Sequence, residues 1–133
     1  MRTKNLEDSV GALMQDLVLR SIWKTPPPSE QPSISLVRWS VMETPAGDHH
    51  LVGYNCDDRE GRVSTAIVAF DSLTARATTR SGRIYKLVGK SGYDSDGSWV
   101  WGNWSRANRL FGKEVTNQYE KKIADAGTQN SLD

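Results

Sequence analysis

The spacing of apolar positions divides the chain into a helical stretch, a strand-rich stretch and a second helical stretch. Over residues 5–24, Leu6, Val10, Leu13 and Leu17 recur at steps of three and four, with Met14 and Val18 widening the stripe. That period predicts an amphipathic helix with one face for burial. Asn5 or Thr3 can cap its start, Glu7 and Asp8 sit at the positive end of its dipole, and Arg20 and Lys24 at the negative end. TPPPSEQPS, residues 25–33, carries four prolines, which stop a helix and favour a stiff, extended connection.

From residue 34 to residue 89 the period shortens to that of strands. ISLVRWSVMET, residues 34–44, changes apolar parity between Leu36 and Val37, which predicts a bulge near Leu36 or a strand covered on both faces. PAGD and DDREG supply turns on either side of HHLVGYNC, residues 49–56. RVSTAIVAF, residues 62–70, reads as a central strand. DSLT turns the chain into ARATTR, and Ser81-Gly82 marks a hairpin before RIYKLVG, residues 83–89. Such short connections predict antiparallel neighbours, because parallel ones need crossovers of about a dozen residues.

The helical period returns in SWVWGNWSRANRLFG. Val100, Trp101, Trp104, Ala107 and Phe111 share a side over residues 98–111, Ser98 or Asp96 can cap, and Gly112 can end the helix. Val115, Tyr119 and Ile123 make a sparser helical pattern over residues 113–126, and residues 127–133 read as a flexible tail. The expected architecture is a single α+β domain: a curved antiparallel sheet of about five strands, with the N-terminal helix and the Trp-containing C-terminal helix packed on it.

Composition narrows this reading. A length of 133 residues suits one hydrophobic core, and 37% hydrophobic with 25% charged residues is ordinary for a globular chain. The apolar runs fall far short of the roughly 20 residues of a membrane span. Glu7 and Asp8 stand where a signal peptide needs apolar residues, so the expected compartment is the cytoplasm and no membrane partner is expected. The lone Cys56 makes no internal disulfide and is expected to be a small buried residue. With a formal net charge of +1, attraction to an anionic partner must come from local clustering of charge.

Candidate catalytic and metal motifs fail on spacing. Gly89-Lys90-Ser91 lacks the earlier glycine of a phosphate loop, since position 84 is Ile. Asp94, Asp96 and Gly97 begin like a calcium loop, but the position of the bidentate acid falls on Ser105. His49 and His50 are adjacent on a strand and point to opposite faces, so one ion cannot readily use both rings. His50 and Cys56 share a face about 20 Å apart, too far for a base to activate a thiol. No cofactor, metal or catalytic residue is assigned on these grounds.

The stretch TARATTRSGRIYKLVGKSG, residues 74–92, holds Arg76, Arg80, Arg83, Lys86 and Lys90 with no acid. Strand alternation sends Arg76, Thr78 and Arg80 one way and Ala75, Ala77 and Thr79 the other. In the next strand Ile84, Lys86 and Val88 oppose Arg83, Tyr85 and Leu87. Arginines can hold anionic groups bidentately, Tyr85 or Tyr93 can supply a stacking surface, and Trp99, off the buried helix stripe, is expected at the surface. The binding set is therefore Arg76, Arg80, Arg83, Lys86, Tyr85 and Trp99. The reading favours a non-catalytic protein that engages an acidic protein or other macromolecule. Nucleic-acid binding is the first alternative, and a small hydrolase or transferase using the region from His49 to Asp58 the second.

The order GYN, GRVSTAIVAFD, TRSGRIYKLVG and WVWGNW, residues 53–104, resembles small uncharacterised bacterial proteins carried on mobile elements: plasmids, phages or integron cassettes. The resemblance implies a bacterial cytoplasmic accessory protein with a host-interaction or defence-inhibiting role, and it transfers no functional residue.

Overall fold

The computed structural model describes residues 28–132. The helix expected over residues 5–24 and the first residues of the proline connection lie outside them. In chain order the elements are β1 (Ser33–Glu43), β2 (His49–Asn55), β3 (Glu60–Asp71), β4 (Arg76–Thr79), β5 (Ile84–Leu87), α1 (Ser95–Ala107), β6 (Lys113–Glu114) and α2 (Thr116–Leu132).

The sheet has the order β2-β3-β4-β5-β1-β6, and β1 also pairs with β2, so the first five strands close into a ring. A meander of five strands alternates direction, which leaves its first and last strands pointing the same way. Closure is therefore parallel, from Ser33 opposite Ile84 to Leu36 opposite Leu87, where an antiparallel sheet was expected throughout. The other pairings are antiparallel. Closure leaves the ring with few unpaired strand edges. It also depends on the length of β1, whose first half pairs with β5 while its second half pairs with β2 and β6.

Between these halves β1 bends. Its register with β2 shifts between Val37 and Ser40, and Arg38 takes a left-handed φ of 46°. This is the bulge that the change of parity predicts, two residues further along. Arg38 is held there by Asp94, which accepts from its Nε at 2.9 Å, and by the ring of Tyr54, whose centroid lies 4.9 Å from the guanidinium carbon.

Two hydrophobic clusters follow from strand alternation. Inside the barrel, Ile34, Leu36, Trp39, Val41, Leu51, Ala77, Tyr85 and Leu87 pack together, and Val115, just before α2, and Tyr119 of α2 join them. On the outside, Val52 and Val63 meet Val100 and Trp101 of α1, flanked by Met42 and Trp104. α1 begins earlier than expected because Asp94, not Ser98 or Asp96, is the cap, accepting from the Gly97 amide at 2.8 Å. Gly97 is required here, since a Cβ would lie 2.6 Å from the Gly53 carbonyl oxygen. The helix ends at Ala107 with Asn108 as its C-cap, so Phe111 leaves the apolar stripe and stands 90% exposed. α2 continues through Gly127 to Leu132, where the sequence pattern suggests a flexible tail.

Candidate functional site

The outer wall of β4 and β5 carries three of the expected binding residues. Alternation turns Arg76 outward on β4 and Lys86 outward on β5, and the register sets them directly opposite one another. The row continues to Asp71 beyond Arg76 and to Ser35 beyond Lys86, giving two bases and one acid side by side. Asp71 is engaged by its own turn, accepting from the Leu73 and Thr74 amides. Hydrogen bonds from Thr74, with smaller help from Arg76, hold its carboxyl below the usual range. Arg80, also outward, reaches Asp48 at 3.5 Å; both groups are well exposed, so the pair contributes little to stability. Among the described residues neither helix packs against β4 or β5, and this wall carries no helical cover.

The other three residues go elsewhere. Tyr85 is 2% exposed in the barrel core and cannot stack on a partner. Arg83 also turns inward, donating from Nε to the Gln31 carbonyl at 3.1 Å. Trp99 is exposed, but on α1, which packs on β2 and β3. Tyr93 is exposed in the loop that crosses β1 on its way to α1, where the Gly92 amide donates to the Trp39 carbonyl.

On β2 the adjacent histidines face opposite sides, as alternation requires, and each meets a different helix. His49 lies between α2 and β1. The Tyr119 hydroxyl donates to its Nδ1 at 2.6 Å, and its Nε2–H donates to Glu43 Oε2 at 2.9 Å. Burial, and secondarily the charge of Glu43, raise the Tyr119 phenol above its ordinary value, so it remains a proton donor. Phe70 packs edge-on against the Tyr119 ring at 5.0 Å. The buried Tyr119 hydroxyl fixes α2 to the end of the barrel; it presents no open nucleophile.

His50 faces α1. Its Nδ1–H donates to the Ser64 carbonyl at 2.8 Å, the opposite tautomer to that of His49. Its ring lies 5.0 Å from Trp104 and 6.1 Å from Trp101, centroid to centroid. Desolvation pulls the imidazole below its ordinary value.

No family model, curated protein or solved structure matches the chain.

Cys56 lies exposed in the β2–β3 turn, where a small buried cysteine was expected. It stands at the opposite end of β2 from His49 and His50. Among the described residues, no three His, Cys, Asp or Glu side chains converge as a metal site. No helix among them is long and apolar enough to cross a membrane. The sequence reading missed Glu43 and Tyr119 as partners of His49. Tyr119 lies 70 residues away, and its only local signal is the spacing of Val115, Tyr119 and Ile123.

Proposed function

We propose that the protein is a non-catalytic binding module that engages an acidic partner protein through the outer wall of β4 and β5, with Arg76 and Lys86 at its centre and Arg80 beside them. The observation that carries this reading is the cross-strand pairing of Arg76 with Lys86 on a wall without helical cover. Like charges directly opposite destabilise a sheet, and a carboxylate-bearing partner would turn that repulsion into attraction. The half-buried Ile84 and Thr78 lie in the adjacent row and offer a less polar footing beside the charges. The resemblance to proteins of mobile elements agrees with a partner drawn from the bacterial host. Of the two stacking candidates for a nucleic-acid reading, Tyr85 is buried, and the exposed Tyr93 lies in the loop that crosses β1 and not on the β4–β5 wall.

The test is a nuclear magnetic resonance titration of labelled protein with an oligoglutamate peptide and, in parallel, with single-stranded DNA of similar charge. Under this reading the peptide perturbs the amides of β4 and β5, and R76E/K86E abolishes the response while W99A leaves it intact. Stronger perturbation by DNA would favour nucleic acid, and perturbation centred on α1 would displace the site to Trp99.

A further inference from the structure

His50 is buried at the junction between α1 and the barrel wall. The cluster that α1 forms with Val52 and Val63 lies outside the barrel, and the interior cluster of Ile34, Leu36, Leu51 and Tyr85 is complete without it. Beyond its first turn, α1 attaches to the wall through Val100 and the rings of Trp101 and Trp104, both rings beside His50. We propose that His50 is a proton-operated latch, so that acidification loosens α1 from the barrel wall while the barrel and α2 stay folded.

The geometry favours release over accommodation. The Ser64 carbonyl already occupies Nδ1–H, so the second proton must enter at Nε2, on a ring 8% exposed to solvent and faced from α1 by two uncharged indoles. The indole planes are tilted at 44° and 48° to the imidazole, and neither stacks flat on it. β3 presents the Ser64 carbonyl and Ala66, and β1 presents Met42 across the register. The charges that reach His50 are Asp48, which favours the cation, and Arg80 and His49, which oppose it. Arg80 is bridged to Asp48, so these two largely offset one another. What remains is the cost of an imidazolium without water, relieved when α1 moves away. His49, on the other face, sits instead between a carboxylate and a hydroxyl, Glu43 at Nε2 and Tyr119 at Nδ1, and touches neither indole of α1.

Amide-exchange protection factors, read by nuclear magnetic resonance with the imidazole signals of both histidines, test the latch in the unmodified protein. Between about pH 7.5 and about pH 5, protection across α1 should fall by about tenfold or more, with the midpoint of His50 titration. Protection in β1 and β2 should hold. An α1 that keeps its protection through the His50 titration would overturn the proposal, as would one that loses it together with the barrel. His50→Gln, which keeps an amide donor for Ser64, should remove the response of α1. His49→Gln should retain it, and its loss there would also count against the latch. Should His50→Gln not fold, the coincidence of midpoints in the unmodified protein and the His49→Gln control still decide.

Discussion

Asp94 joins two parts of the structure through its two carboxylate oxygens. One caps α1 through the Gly97 amide, and the other holds the guanidinium of Arg38 at the left-handed bend of β1. Asp94→Ala should therefore cost about 1–2 kcal/mol in chemical denaturation, the range of a lost cap, and should loosen the β1 bend as well. Tyr119→Phe keeps the ring against Phe70 and removes only the hydroxyl donated to His49. A loss of about 1 kcal/mol is expected, with faster exchange of the α2 amides. For His50 the sign of the pH effect follows from burial. The folded imidazole lies below its ordinary value of 6.5, so the unfolded chain takes up the proton first as pH falls. Its contribution to stability is complete above about pH 6.5, declines below it and is lost once the folded ring also protonates. Denaturant midpoints measured across that range should fall with pH, and less so in His50→Gln.

At the scale of elements, backbone approach sets the position of α1. Its first turn lies against β2 and β3 where Gly53, Gly61 and Gly97 meet, and a Cβ at Gly61 would run into the backbone of Asp96 and Gly97. Gly97→Ala should destabilise by about 1–3 kcal/mol, whereas Gly102→Ala, with open space around its Cβ, should stabilise α1 by up to about 1 kcal/mol. Thermal denaturation of the two variants separates packing from helix propensity. α2 is anchored differently, through its first turns. Thr116 accepts from the Val41 amide, and Val115 and Tyr119 enter the barrel core, with Ile123 packed against it.

For the whole molecule, closure of the barrel puts Tyr85 and Arg83 inside and leaves Arg76 and Lys86 outside. R76E/K86E should abolish capture of an acidic partner without lowering the thermal midpoint, since both changes lie on the outer wall; pull-down paired with thermal denaturation would check this. R76E alone should bring only a partial loss, and rising salt should weaken the wild-type complex steadily. The division of one basic stretch into an inward Arg83 and an outward Arg76, Arg80 and Lys86 shows how far charge in a sequence differs from charge on a surface.

Much of the fold is legible in the chain because it rests on local chemistry. Alternation of small and basic residues in ARATTR set the inward and outward sides of β4, and the change of parity after Leu36 marked a bend in β1. The adjacency of His49 and His50 likewise determined that they face opposite sides. Tertiary structure decided what depends on contacts distant along the chain. The parallel closure of β1 on β5 joins residues about fifty positions apart, and no local spacing records it. Glu43 and Tyr119 meet at His49 only because α2 packs at the barrel end. Asp94 displaced the nearer capping candidates because the bent β1 offered its second oxygen an arginine. Local periodicity fixes which way each side chain points; closure of the ring fixes what it meets.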